Sequence, residues 1–547
     1  MGNRRHVMDV CREFAGAVAP AFAGAVVVDV VENIVRGEEP PAAPIHQNLL
    51  LRRVAVGGTA PHHPAGEVHT PPEGTPRAQV LADLQPRLVN TGAKDDAAQA
   101  ATVGRPEARS LIVAPLVLHG RALGVVTLYR LQQEDPFDES DLALAHEMCA
   151  HTALRIDHAR LYMREWMNAA TVQHKLLPQP PAVHHTVETA PVHLLGSEGG
   201  GAWFDAIALP GARTALVVGN VEGQGIAAAM TVGLLRTALH TLIAMDLEPD
   251  ELLARLSDAT AQLARARAAL PTLDPLNRDP FTTGCVIAIL DPVDHTCSIA
   301  RAGLPEPVAV LPDGTSAMLR TPAGPSLGTP DDAPFPATTL PLPAGSTLAM
   351  GTLAFTEPVL APCGPLRPLL DCTSSTPLTD VRDALAATLS GQHRDAEALL
   401  LLARTKALPP AQILTHSLPA DPRAAPIARA ATRDQLKAWG LDEETAFTAE
   451  LIVSEFVGNA IRYGAPPLRL RLVLGHTLTC EVSDAAPSAP HVRHARTVDE
   501  NGRGLFIIAS LAERWGTRFQ SLGKTVWAEQ PLKASTPALK PSAVAAP

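Results

Sequence analysis

The chain reads as a multidomain protein of mixed α/β and α+β class, and three observations carry that reading. Its 547 residues exceed what one hydrophobic core supports, so three or four domains are expected. Two proline-punctuated stretches, LLPQPP (Leu176 to Pro181) and TKALPPAQ (Thr405 to Gln412), cut the chain. Between the cuts, short apolar runs with strand character mix with longer stretches of helical period, as in sheets covered by helices. The boundaries that follow are a first domain over 1–140, a connector helix over 141–177, a second domain over 178–404 and a linker over 405–412. A third domain occupies 413–532, and 533–547 is a low-complexity tail expected to be disordered.

Composition excludes several function classes. A net charge of −11 and a pI near 6.0, with no basic block, argue against general affinity for nucleic acid. The seven cysteines are scattered, with no CxxC and no Cys/His cluster, which fits a reducing compartment without structural zinc. Apolar runs such as AFAGAVVVDVV fall short of a membrane span, and no cleavable signal pattern opens the chain. A cytoplasmic protein is expected, with neither membrane nor nucleic acid as partner.

In the first domain, LIVAPLVLHGRALGVVTLYR (Leu111 to Arg130) is two β-rich runs joined by a turn at Gly120. A helix begins near DESDLALAHEM, with acids where a helix N-terminus favours them. Along it Leu142, Ala145, Cys149, Thr152, Ile156, Ala159, Met163, Trp166 and Ala170 recur at steps of three and four. Such a seam suits either an amphipathic helix packed on its own domain or a parallel two-helix connector between protomers. The length of the seam favours the second, and with it a homodimer.

The stretch GGGAWFDAIALPGARTALVVGNVEGQGIAAAM (Gly199 to Met230) sets two Gly-rich turns around an apolar strand. That arrangement brings polar side chains to one sheet edge, yet Ala202, Asn220 and Gln224 carry no charge. In the third domain, ETAFTAELIVSEFVGNAIRYG (Glu444 to Gly464) has helical period and ends at a glycine. Glu455 and Asn459, at i and i+4, share one face. TLTCEVSDAAP delivers Asp484 at a strand end, and DENGRGLFIIASLAERWG places Gly502 and Gly504 before a helix, where backbone N–H groups approach phosphates. GKTVWAE opens a last strand with Thr525 near its start. A GRG turn alone is usually only a turn; the ordered series is more specific.

That series, SEFVGNA, VSD, GRGL and GKTVW over about 115 residues, resembles the GHKL ATPase superfamily and closely its anti-sigma serine kinases. The resemblance implies an α/β sandwich binding ATP and Mg²⁺. It implies Asn459 as the Mg²⁺ ligand, Glu455 as or near the general base, and Asp484 as acceptor for the adenine amine. Gly502 and Gly504 would belong to the lid over the phosphates, and Thr525 would support the adenine side. The chain departs from the pattern at DAAPSAP, which lacks the glycine of the adenine-side loop.

The middle domain resembles the SpoIIE-like branch of the Mg²⁺/Mn²⁺-dependent serine/threonine phosphatases, a PPM-type β-sandwich flanked by helices. The resemblance runs through GGAWFD, VVGNVEGQG, FTTGCVIAILD, AGLPEP, GPSLG and EALLLLAR. Those enzymes hold two metal ions through clustered aspartates, and this chain has Ala202, Asn220, Leu304, Thr352 and Ala396 where an acid or histidine is wanted. Asp205, Glu222 and Asp395 remain nearby, and a shifted register would restore Asp395 as a ligand. A pseudophosphatase is expected. The N-terminal region resembles a GAF sensory domain, through FAGAVVVDVVENIVRGEEP and the hairpin above. Together the resemblances imply a partner-switching regulator that phosphorylates anti-sigma-factor antagonists, with a sigma factor as possible client. An active phosphatase and a non-catalytic ATP-gated scaffold are the alternatives.

Overall fold

The computed structural model describes residues 6–41, 49–58, 65–90, 108–131, 134–176, 186–194, 200–223, 225–269, 282–329, 333–371, 376–389, 397–487, 504–520 and 523–532. Ala396, Asp395 and Gly502 lie outside them. The chain divides into two compact units, Met1–Ala170 and Thr171–Pro547.

The first unit is a six-stranded antiparallel sheet with helices. Helix α1 (Val7–Ala21) buries Val7, Val10, Cys11, Phe14, Ala15 and Val18, one helical stripe. Strand β1 (Ala25–Val31) is buried at all seven residues, because it lies in the middle of the sheet. Helix α2 (Glu32–Val35), β2 (Leu51–Gly58), β3 (Val68–His69), α3 (Pro76–Asp83) and β4 (Arg87–Asn90) follow. The hairpin β5 (Ala108–Leu118) and β6 (Arg121–Leu131) turns at His119 and Gly120, both left-handed as a two-residue hairpin turn requires. The sheet order is β3-β2-β1-β6-β5-β4. One acid interrupts the valines of β1. Asp29 is fully buried, 3.2 Å from His69 Nε2, 3.3 Å from Arg53 Nε and 3.7 Å from Arg77 Nη1.

Helix α4 (Glu139–Leu176) carries the seam. Ala145, Cys149, Thr152, Ile156 and Ala159 are buried, and the apolar ones join the core that holds β1, β5 and β6, with Leu142 and Met163 packed partly against it. The expectation of an inter-protomer seam is therefore corrected over this stretch: the helix packs on its own domain. Periodicity shows that a stripe needs cover, not which surface supplies it. The side chains of Trp166 and Ala170 lie outside the description.

The second unit begins with a β-sandwich. Strands β7 (Val187–Leu194), β8 (Gly201–Ala208) and β9 (Thr214–Val221) are followed by helices α5 (Gly225–Ile243) and α6 (Pro249–Ala268). Then come β10 (Thr283–Asp291), β11 (Thr296–Ala302), β12 (Val308–Val310), β13 (Ser316–Met318), β14 (Thr338–Pro341) and β15 (Thr347–Gly351). Helices α7 (Arg367–Asp371) and α8 (Leu378–Leu389) and strand β16 (Ala398–Thr405) complete it. Two five-stranded sheets, β14-β11-β10-β9-β8 and β13-β12-β15-β16-β7, enclose a core of Phe204, Leu216, Val218, Val286, Leu399 and Leu401. Helices α5 and α6 cover the first sheet and α7 and α8 the second, each over its own apolar cluster.

The last part of the unit is an α/β sandwich. It runs β17 (Ile413–Leu418), α9 (Ala424–Ala438), α10 (Glu443–Tyr463), β18 (Leu468–Leu474), β19 (Thr477–Asp484), α11 (Gly504–Leu511), β20 (Arg514–Gln520) and β21 (Gly523–Pro531). The sheet order is β17-β18-β19-β21-β20. Alternate residues Leu478, Cys480 and Val482 of β19 face the helices, packing with Ile452, Val453 and Phe456 of α10. Asp442 caps α10 by accepting from the Thr445 N–H at 3.0 Å. No helix among the described residues is long and apolar enough to cross a membrane.

Candidate functional site

Two centres were expected, and the fold assembles both edges. In the β-sandwich, Ala202 of β8 pairs with Asn220 of β9, and Asn220 with Gly284 of β10. Leu304 lies over Gly284: a Cβ there would stand 2.8 Å from Leu304 Cδ2. Thr352 Oγ1 accepts from the Leu399 N–H at 3.2 Å, and its own N–H donates to the Leu399 carbonyl at 2.9 Å. Ala202, Asn220 and Leu304 thus lie at one end of the first sheet, and Thr352 follows β15 in the second, beside β16. All but Asn220 are buried.

Among the described residues, what fills the edge is not a metal-ligand set. Leu304 is apolar, and burying a leucine contributes about 2 kcal/mol that a charged cluster would forfeit. Among the described residues the carboxylate that reaches Ala202 is that of Glu397, which the sequence did not single out. Its Oε2 accepts from the Ala202 N–H at 3.0 Å, and its Oε1 pairs with His193 Nε2. Asp205 is buried and gripped by Arg236, at 2.7 and 3.0 Å, with His240 at 3.1 Å. It is therefore an internal ion pair rather than an open ligand, and Glu222 is exposed. Among the described residues no three His, Cys, Asp or Glu side chains converge to hold a metal ion. The described residues do not by themselves make up a two-metal centre, because dications need clustered counter-charge and hard oxygen donors.

The frame, by contrast, is intact. Trp203 is fully buried, and its indole lies against Gly219: a Cβ at 219 would stand 2.3 Å from Trp203 Cε2. The Gly-aromatic contact sets the spacing of β8 and β9 independently of any charge at 202 or 220.

The other centre lies between α10 and its sheet. Glu455 and Asn459 are half-buried on α10, and neither makes a hydrogen bond or ion pair with another described residue. Asp484 ends β19 on the helix-facing side, close to the end of α10: a Cβ at Gly464 would stand 2.8 Å from Asp484 Cγ. Gly504 begins α11. These placements bring Asp484 to the C-terminal end of the helix that carries Glu455 and Asn459.

Thr525 is not brought to that side. It pairs with Ser483, and the two hydroxyls meet at 2.8 Å on the face opposite Asp484. The residue that shares the face of Asp484 is Lys524, whose Nζ donates to Asp484 Oδ1 at 3.0 Å and to the Ala486 carbonyl at 3.3 Å. The strand period of two puts neighbours on opposite faces, so a one-residue difference in register exchanges the roles. The Ala486 N–H also donates to Asp484 Oδ1 at 2.8 Å.

Three family models match the chain in succession. A GAF domain matches residues 5–157, Stage II sporulation protein E (SpoIIE) matches 210–405, and a histidine kinase-like ATPase domain matches 418–529. Among solved structures, the RsbU and RsbW domains of Rv1364c from Mycobacterium tuberculosis are 24% identical, covering 63% of this chain and 95% of that one at a TM-score of 0.35. The PP2C phosphatase domain with a regulatory fragment of SpoIIE from Bacillus subtilis is 16% identical, covering 40% and 64% at 0.31. The second GAF domain of DevS from Mycobacterium smegmatis is 18% identical, covering 29% and 98% at 0.22. By the family models, the chain carries a GAF domain, a SpoIIE-type domain and a histidine kinase-like ATPase domain, in that order.

Proposed function

We propose that this GAF, SpoIIE-type and ATPase chain is a cytoplasmic partner-switching regulator whose C-terminal domain is an ATP-dependent serine kinase. Its SpoIIE-type domain serves as a non-hydrolytic frame. One contrast carries the reading: among the described residues Glu455 and Asn459 keep a carboxylate and an amide without internal partners, whereas Leu304, Thr352 and the Glu397–His193 pair occupy the described acid positions of the sandwich. Phosphoryl transfer needs alignment, charge neutralisation and a group that orients the acceptor hydroxyl. When bound, Mg·ATP supplies the phosphoryl group and the neutralising charge. Asn459 offers an amide oxygen to the metal, Glu455 orients the acceptor serine and takes its proton, and Asp484 accepts from the adenine amine. The substrates are anti-sigma-factor antagonists, with a sigma factor as client, and the GAF domain supplies the input.

The Lys524–Asp484 ion pair favours a second reading, an ATP-gated scaffold without transfer, because the ammonium competes for the carboxylate assigned to adenine. Incubating the full chain with γ-labelled ATP, Mg²⁺ and purified antagonist proteins separates the readings. Label on the antagonist supports the kinase. ATP retained without transfer supports the scaffold, and metal-dependent release of phosphate from a phosphorylated antagonist overturns the frame.

A further inference from the structure

The SpoIIE-type and ATPase domains lie in one compact unit, and buried charge joins them. Three turns of the SpoIIE-type domain meet the outer face of the ATPase sheet, the face turned away from its helices. Each contains left-handed residues: Gly211 and Ala212 in the first, Asp246 in the second, and His295, beside Asp294, in the third. Gly211 approaches so closely that a Cβ would stand 2.7 Å from Glu481 Oε1.

The charges form a continuous chain. Arg213 pairs with Asp246, and its Nε donates to the Pro210 carbonyl at 3.1 Å. Asp246 Oδ2 stands 3.9 Å from Arg518 Nε across the domain boundary. Arg518 Nη2 donates to Glu481 Oε1 at 2.7 Å, and Glu481 Oε2 stands 4.0 Å from Arg471 Nη1. Arg471 Nη2 then donates to Asp294 Oδ1 at 2.7 Å, back in the SpoIIE-type domain. The chain crosses the boundary twice. The side chains of Arg213 and Asp246 are 5% and 1% exposed, and those of Arg518 and Glu481 are 5% and 3%, so water does not screen them. Among the described residues Asp246 Oδ2 and Arg518 Nε have no hydrogen-bond partner of their own. Each is the charge that faces the other. The signs are complementary: one cation, Arg213, stands with Asp246, Glu248 and Asp294 on one side, and Arg471 and Arg518 stand with Glu481 on the other.

We propose that this ionic chain is a latch that clamps the SpoIIE-type domain onto the back of the ATPase sheet, so that the two domains move as one body until the charges are parted. A buried ion whose partner leaves is strongly destabilised, so opening requires water or a ligand to replace several contacts together, as a two-state element does. Strand β19 carries Glu481 on the latch face and Asp484 three residues on, on the opposite face. The inference holds whether or not the ATPase domain transfers phosphate.

The test is an electron–electron distance measurement on the full chain, with Cys363 and Cys372 replaced by serine. Nitroxides go at Glu251→Cys on α6 and Asp434→Cys on α9, both exposed, and a control pair at Glu251→Cys and Asp313→Cys stays within the SpoIIE-type domain. The latched chain gives one narrow distance. Gly211→Leu wedges against Glu481, and Asp246→Asn removes the bridging charge while tolerating the left-handed turn. Each should shift the interdomain distribution into a second, broader population and leave the control narrow. An unchanged interdomain distribution in both variants overturns the latch. Where a variant also broadens the control, Arg518→Met, cutting the chain from the ATPase side, decides by the same two outcomes.

Discussion

The SpoIIE-type centre and the ATPase centre solve opposite problems with similar materials. At the sandwich edge Trp203 lies on Gly219, and the described residues Ala202, Leu304 and Thr352 are buried and uncharged. In the ATPase domain the charge is kept, and part of it is tied up internally, with Lys524 on Asp484. Packing and chemistry are therefore separable: apolar and glycine contacts hold the Trp203–Gly219 frame without any charge at 202, and an acid such as Asp484 is not by itself a free one.

The largest effect expected is chemical. Glu455→Gln keeps shape and nucleotide binding but loses the basic carboxylate, so transfer of label from ATP to an antagonist should fall by roughly 10²–10⁴-fold. Transfer at the wild-type rate would erase the distinction drawn between the centres. Next comes the internal ion pair. Lys524→Met strands a buried carboxylate and should destabilise the ATPase domain by about 3 kcal/mol in denaturant titration. Adding Asp484→Asn to that variant should recover most of the loss, since both charges are then gone.

Asp29, in the GAF domain, sharpens the comparison as a charge kept wholly for structure. Burial opposes its ionisation, but the hydrogen bond from His69 and the charges of Arg77 and Arg53 prevail and hold its carboxyl below the usual range. A depressed folded value contributes stability that is full above the unfolded aspartate pKa of about 4 and is lost as pH falls through the folded value. Acid titration of Asp29→Asn should lack that contribution and show lower stability at neutral pH by about 2 kcal/mol. A frame test is of similar or smaller size. Gly219→Ala drives a methyl into the Trp203 ring and should cost about 1–3 kcal/mol, whereas Asn220→Ala beside it should cost under about 0.5 kcal/mol. The smallest effect is none. Calorimetry with Mn²⁺ on the full chain should detect no pair of tight sites in the SpoIIE-type domain, and restoring Asp at 202, 220, 352 and 396 together is the change expected to create binding.

Much of this was legible in the sequence, and the misses have physical causes. The β5–β6 hairpin, the helix ending at Gly464 and the pairing of positions 202 and 220 follow from local pattern and motif order, which are properties of short segments. The seam at Cys149 and Ile156 was legible as a stripe but not as an intramolecular one, since spacing does not identify the covering surface. Lys524 was displaced by its neighbour Thr525 because a strand reverses its faces at every residue, and motif spacing does not fix that parity. The Glu397–His193 pair and the grip of Arg236 on Asp205 join residues far apart in sequence, so they have no local signal. The Arg518–Glu481–Arg471 chain is of the same kind. Those three residues sit in unremarkable strands, and only docking of the SpoIIE-type domain makes sense of their burial.

Docking on the ATPase sheet also governs traffic to that domain. With the centre of its outer face occupied from within the chain, a visiting protein meets either the helical layer or the rims of the sheet, β17 and β20. A visitor that recognises by adding a strand has only those two rims. A visitor that approaches the end of α10 must instead be read by side chains rather than by strand pairing. The approach route, as well as affinity, then limits how a partner can engage that domain.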